Sequence, residues 1–276
     1  LSLILIFGAA FALDSNYIEG MQLTWVNGYQ FTISAGECRD SSDSRDITLT
    51  NALTVDLTNG TFTNTVDVGI TNGDTGTIVT NLAGNYSKYN VYIQGRDRAT
   101  PGVSTVACIS TNANGPAKYV QSGQWKARDI YRYVGSILVY STNGSGNVTI
   151  VPFIQVGKGN ERTTIVDISQ TLSPSDLPNT GSNTTITAVD LSQEIGQKAV
   201  EVVGVLELQT NAVTTFSPYA SATAGMEFNL HPFAGALADA NITVNLPVNS
   251  SQALYYKVGN VLQAAELFVV GWKEDL

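Results

Sequence analysis

The chain has 276 residues, long enough for a sizeable core and for one or two domains. Charged residues make up 13% of it, against about a quarter in ordinary soluble domains, and Thr, Asn, Ser and Gly take their place. A formal net charge of −9 argues against a nucleic-acid partner, which needs clustered Lys and Arg to release counterions, and against anionic membrane surfaces.

Residues 3–13 (LILIFGAAFAL) are continuously apolar. The run is shorter than the ~20 residues of a membrane-spanning helix, so no spanning segment is expected. Ala10-Phe11-Ala12 has the small-x-small form of a signal cleavage site, but no basic stretch precedes it. Two readings stand. One is an apolar docking segment over 1–16, covered by other subunits; the other is a signal remnant.

Next comes the strongest local signal. Met21, Leu23 and Trp25 alternate with polar residues, then Asn27-Gly28, then Tyr29, Phe31 and Ile33 alternate again. This predicts a hairpin with a two-residue type I′ turn at Asn27-Gly28, where both residues tolerate positive φ. The apolar set of each arm then shares one sheet face. Leu53, Val55 and Leu57 repeat the pattern before Asn59-Gly60, and Phe62, Val66, Val68 and Ile70 follow. Residues 102–110 read as a strand. Residues 129–140 and 147–156 read as a hairpin, with Pro152 marking an edge or bulge. No long helical period is present in this half.

Glycines and prolines at 157, 159, 174, 178 and 181 give residues 157–183 the look of a linker, with a short strand or one helical turn at 165–172. Strands are predicted at 200–208, 241–246, 253–258 and 266–272, with a loop over 225–240. Strands at intervals of roughly 8–12 residues indicate a sandwich or barrel. The expected fold is therefore all-β: a β-rich body over 17–156, then a C-terminal β-sandwich of jelly-roll-like form over 184–276.

The sequence offers little chemistry. His231 is the only histidine, and no GxSxG elbow accompanies it. Asp40, Asp43 and Asp46 could face a hard cation, but Arg39 and Arg45 interrupt them and the EF-hand glycine and glutamate are missing. The bland reading is a solvated turn with local salt bridges. The glycines of 143–146 lack the lysine of a phosphate loop. Cys38 and Cys108 read as two separate buried thiols, with one disulfide as the alternative. No catalytic residue, cofactor or metal is expected. Tyr219 and Phe233, with His231 beside them, are the candidates for a receptor contact, since aromatic rings stack on sugars and hydrogen-bond at their edges. The plain alternative is that they pack loops onto the sandwich.

One stretch carries a resemblance. Tyr17-Ile18-Glu19-Gly20, the hairpin, then Ser34, Gly36, Arg39 and Asp40 resemble the start of a module repeated in bacteriophage tail-fibre and other virion fibre proteins. Tyr89-Asn90-Val91-Tyr92-Ile93 and Arg132-Tyr133-Val134-Gly135-Ser136-Ile137 resemble its later strands. The likeness covers roughly residues 17–156. It implies a structural role in an extracellular virion without enzymatic activity, a homotrimer, contact with other virion proteins through the N-terminal segment, and attachment to a host surface glycan or protein. Head decoration or a baseplate position are alternatives within the particle. A secreted bacterial adhesin and a polysaccharide-degrading enzyme are the competing classes.

Overall fold

The computed structural model describes residues 14–43, 45–56, 67–70, 86–94, 106–110, 131–141, 148–167, 175–176, 186–210, 214–221, 224–225, 228–230, 238–258 and 264–276. Among these the chain is all-β, in four sheets whose pairings are antiparallel. No helix among the described residues is long and apolar enough to cross a membrane.

The first half supplies β1 (Ile18–Gly20), β2 (Leu23–Asn27), β3 (Gln30–Ile33), β4 (Gly36–Arg39), β5 (Asp46–Leu49) and β6 (Leu53–Asp56). Then come β7 (Asp67–Ile70), β8 (Tyr86–Gln94), β9 (Val106–Ser110), β10 (Tyr131–Ser141) and β11 (Val148–Ile150). β12 (Phe153–Lys158), β13 (Glu161–Val166), β14 (Ser175–Asp176), β15 (Thr187–Asp190) and β16 (Ala199–Thr210) follow. The last are β17 (Thr214–Ser221), β18 (Ala224–Gly225), β19 (Phe228–Leu230), β20 (Ala238–Pro247), β21 (Ala253–Val258) and β22 (Ala264–Asp275).

The hairpin forms, but its turn sits one residue late. Leu23 pairs with Ile33 and Trp25 with Phe31, and then the register shifts so that Asn27 pairs with Gln30. Gly28 and Tyr29 make the turn, and neither Asn27 nor Gly28 has positive φ. The cause is the Asn27 side chain. Its Oδ1 accepts the Tyr29 N–H at 2.8 Å, and its Nδ2 donates to Gln30 Oε1 at 3.0 Å. Such a side-chain turn competes with the backbone turn that Asn-Gly otherwise favours. Met21, Leu23, Phe31 and Ile33 are buried as expected; Tyr29, displaced into the turn, is exposed.

A nine-stranded sheet runs in the order β20-β16-β22-β13-β12-β2-β3-β6, with β14 also on β22. A five-stranded sheet, β11-β10-β8-β9-β7, packs with it around one continuous core. Pro152 stands where the chain passes from one sheet to the other. Val151 N–H still bonds Leu138 O at 2.9 Å in the β10 neighbourhood, and β12 then begins beside β2. A residue without an N–H ends a ladder there at no cost. Two smaller sheets, β1-β4-β5 and β15-β21-β17-β18 with β19 on β17, complete the fold.

The stretch that glycines and prolines mark as a connector begins inside this sheet. Gly157 pairs with Arg162 and Lys158 with Glu161, a tight hairpin that lets Gly157 (φ 123°) and Gly159 (φ 57°) take conformations other residues avoid. The second-half strands lie where expected but run longer, β16 and β22 reaching twelve residues each. The 225–240 stretch is not wholly loop, because β19 lies within it and β20 begins at Ala238.

Alternation along β12 and β13 is inverted. Gln155, Arg162 and Thr164 point inward and are buried, while Ile154 (64% exposed), Val156 and Ile165 (46% each) face outward. Ile154 pairs with Ile165 on one side and Thr24 on the other, which sets two exposed isoleucines side by side on the outer face of the sheet, with Val156 two residues along.

Candidate functional site

The residues of greatest chemical interest gather where β10, β8 and β22 meet. β10 carries Arg132-Tyr133-Val134-Gly135-Ser136, and a bulge falls inside it: Tyr133 pairs with Tyr92 and Gly135 with Val91, leaving Val134 over. Gly135 is required, because its φ is 146° and a Cβ would stand 2.7 Å from Gln155 Nε2. Gln155 serves the bulge. Its Nε2 donates to Val134 O at 3.4 Å and its Oε1 accepts the Leu23 N–H at 2.9 Å.

Arg132 is 4% exposed. Its guanidinium donates to Leu276 O at 2.7 Å, Asn16 O at 3.1 Å and Asn160 Oδ1 at 3.3 Å. Burial lowers its basicity, with Cys38, Asp275 and Asp40 acting against that fall. It lines a cavity of about 360 Å³ together with Asn16, Ser41, Tyr133, Lys198 and Asp275. Cys38 is a free buried thiol, and burial pushes it up to about 12. Such a thiol is a poor nucleophile. The Cys108 side chain lies outside the described residues.

Tyr133 turns toward the final strand. Its hydroxyl lies 2.7 Å from Ser136 Oγ, donates to Glu274 Oε1 and accepts the Gln197 N–H at 3.2 Å. Ser136 Oγ donates to Asn90 Oδ1 at 3.0 Å, and Asn90 Nδ2 donates to Gln197 Oε1 at 2.6 Å. Glu274 is fully buried, and a Cβ on Gly196 would lie 2.0 Å from its Oε1. Burial pushes the Glu274 carboxyl up to about 7, and the hydrogen bond from Tyr133 offsets part of the rise. The Tyr133 hydroxyl is raised well above its ordinary value by burial and by the Glu274 charge. This is a hydrogen-bond relay with one carboxyl able to titrate near neutrality.

Two aspartates of the 40–46 turn, Asp43 and Asp46, are clasped by arginine, and Asp40 Oδ2 accepts from Ser42 Oγ at 3.1 Å. Arg39 Nε meets Asp43 Oδ1 and its Nη1 meets Asp46 Oδ1, each at 2.9 Å. No group of three His, Cys, Asp or Glu able to hold a metal is present among the described residues. Tyr219 lies on β17, its backbone paired with Gly225 and Tyr255, and its side chain is outside the described residues, as are His231 and Phe233. So is the apolar 1–13 run.

Sequence reasoning singled out Arg132, Tyr133 and Ser136 as part of a motif but missed Glu274 and Gln155 as their partners. Strict alternation from Leu267 puts Glu274 on the outer face. The ladder to β16 skips Val270, pairing Val203 with Gly271 and Gly204 with Val269. That bulge brings Trp272 and Glu274 inward.

No family model matches the sequence, and no curated protein matches it.

Proposed function

We propose that the chain is a structural protein of a bacteriophage virion, a tail fibre or similar appendage, that assembles with copies of itself and serves attachment to the host surface. The inverted hairpin carries this reading. A sheet that buries Gln155 and Arg162 while presenting Ile154, Val156 and Ile165 to solvent has an outer face suited to a further protein surface, since contiguous exposed apolar groups mark interaction sites. The virion assignment rests on the motifs at 17–40, 89–93 and 132–137. The host contact is assigned to the second-half residues Tyr219, His231 and Phe233, and the docking role to 1–16.

Sedimentation analysis of the wild-type chain and of the double variant Ile154→Lys/Ile165→Lys tests the assembly. A wild-type trimer that dissociates in the variant is the expected result. A wild-type monomer at tens of micromolar removes the reading. Gold-labelled antibody against the chain, applied to particles of the phage that encodes it, tests the virion assignment by marking an appendage.

A further inference from the structure

The relay around Glu274 joins two sheets that no backbone ladder joins. Asn90 on β8 and Tyr133 and Ser136 on β10 belong to the five-stranded sheet; Glu274 on β22 belongs to the nine-stranded one. Gln197 comes from the segment between β15 and β16, and its carbonyl in turn accepts from Gln252 Nε2 at 2.9 Å. Asn90, Ser136 and Glu274 are each at most 1% exposed. Tyr133 and Lys198 also line the 360 Å³ cavity.

We propose that this chain of side chains is a protonation-controlled latch between the two sheets, closed while the Glu274 carboxyl is neutral and loosened when it ionises. The surroundings explain the direction. Glu274 is buried and its Oε2 makes no hydrogen bond of good geometry, so burial outweighs the support that Tyr133, the Trp272 indole and the Lys198 backbone give the charged form. From β8, Lys88 is the facing cation, and burial lowers its own affinity for a proton. From β10 the facing group is Tyr133, with Tyr92 of β8 behind it. From the segment before β16 the Lys198 backbone N–H donates to the carboxyl, and Glu194 draws on Lys88. From β13, Arg162 is the cross-strand neighbour, but its guanidinium donates to Gly159 O at 2.9 Å and Gly20 O at 2.7 Å. On β22 itself Lys273 and Asp275 flank the residue, with Lys273 reaching Glu161 at 4.0 Å. Of these, Lys88 favours the Glu274 charge, but its own burial weakens that support. Ionisation therefore costs the folded chain what protonation avoids.

The test follows the wild-type chain from about pH 5 to about pH 9 by two measurements. Infrared difference spectroscopy reads the band of a protonated buried carboxyl. Amide exchange, corrected for its intrinsic pH dependence, reads protection in β10 and β22 against β12. The expected result is loss of the band with a midpoint near 7, and a fall of roughly tenfold or more in β10 protection as pH rises from about 5 that levels off above about 7. Glu274→Gln abolishes both changes. Tyr133→Phe moves the midpoint upward, because the hydroxyl favours the charged form. His231→Asn, which removes the sole histidine of the sequence, leaves both changes in place. Persistence of the changes in Glu274→Gln, an unmoved midpoint in Tyr133→Phe, or their loss in His231→Asn overturns the proposal. Should Glu274→Gln fail to fold, the wild-type spectrum decides: a carboxyl already ionised at about pH 5 sinks the latch.

Discussion

Tyr133 and Glu274, 141 positions apart in the chain, meet in the core through a hydrogen bond from the tyrosine hydroxyl to the carboxylate Oε1. The contact fastens the middle of the chain to its last strand, and each partner reaches it through a bulge. Val134 is the extra residue on β10 and Val270 on β22. A bulge re-aims the side chains beyond it, which is how two strands from different sheets come to share one buried relay.

The first prediction concerns pH. The Glu274 carboxyl is raised from 4.5 to about 7 in the folded chain. Between those values the folded state keeps a proton that the unfolded state gives up. Stability from this group is therefore complete below about pH 4.5, falls as pH rises, and is lost above about 7. The whole change is at most about 3 kcal/mol. Urea denaturation of the wild type at a series of pH values is expected to show this decline, and Glu274→Gln to flatten it.

A second prediction isolates Gln155. Its side chain satisfies the Leu23 N–H and the Val134 carbonyl, both inside the core. Gln155→Leu keeps the volume and removes both partners. Each orphaned backbone group costs roughly 1–3 kcal/mol, so a loss of about 2–5 kcal/mol in urea melts is expected. Gln155→Glu keeps an acceptor for Leu23 but places a charge in the core, and it is expected to show a loss that shrinks as pH is lowered.

Much of the fold could be read directly. Period-two runs placed β2, β3 and β6, because a strand half-buried on one face writes its alternation into the sequence, and apolar runs between turn residues placed β10, β16, β20, β21 and β22. What alternation could not show was where it breaks. The turn at Gly28-Tyr29 depends on one side chain, Asn27, outcompeting a backbone preference. The hairpin of β12 and β13 reverses polarity, so Gly157 and Gly159 looked like linker residues when they are turn residues of a central hairpin.

The site was half legible. Arg132, Tyr133 and Ser136 stood out as a motif, whereas Glu274 lay just beyond the predicted 266–272 strand. Its burial depends on the skipped Val270, a property of the β16–β22 register rather than of either strand alone.

Gly196 gives the third prediction. A methyl group there would meet Glu274 Oε1 at 2.0 Å and Trp272 Nε1 at 2.3 Å, both on packed, fully buried side chains. Gly196→Ala must push the carboxylate or the indole aside. A loss of about 2–4 kcal/mol is expected, in the range of overpacked cores that also lose a buried hydrogen bond. At Gly159 the nearest atom to a Cβ is Ile18 O, at 3.8 Å, and φ is 57°. Gly159→Asn fits that left-handed conformation and is expected to change stability by less than about 1 kcal/mol. Thermal melts of the two variants side by side check the contrast.

The last prediction sets two neighbours on β12 against each other. Phe153 is 6% exposed and Ile154 64% exposed, on opposite faces of the same strand. Phe153→Ala removes a ring from the core and is expected to cost roughly 3–5 kcal/mol. Ile154→Ala removes a side chain that already stands in water in the single chain, so chain stability should change by about 0.5 kcal/mol or less. If copies of the chain associate through the outer face, the ranking changes with concentration. Ile154→Ala then weakens the assembly, and its melting temperature falls below the wild type's as protein concentration rises, because association stabilises by mass action. Phe153→Ala instead lowers the melting temperature by a similar amount at every concentration. Melting curves at low and high protein concentration separate the two behaviours, and an Ile154→Ala curve that tracks the wild type at all concentrations would show that this face contributes nothing to assembly.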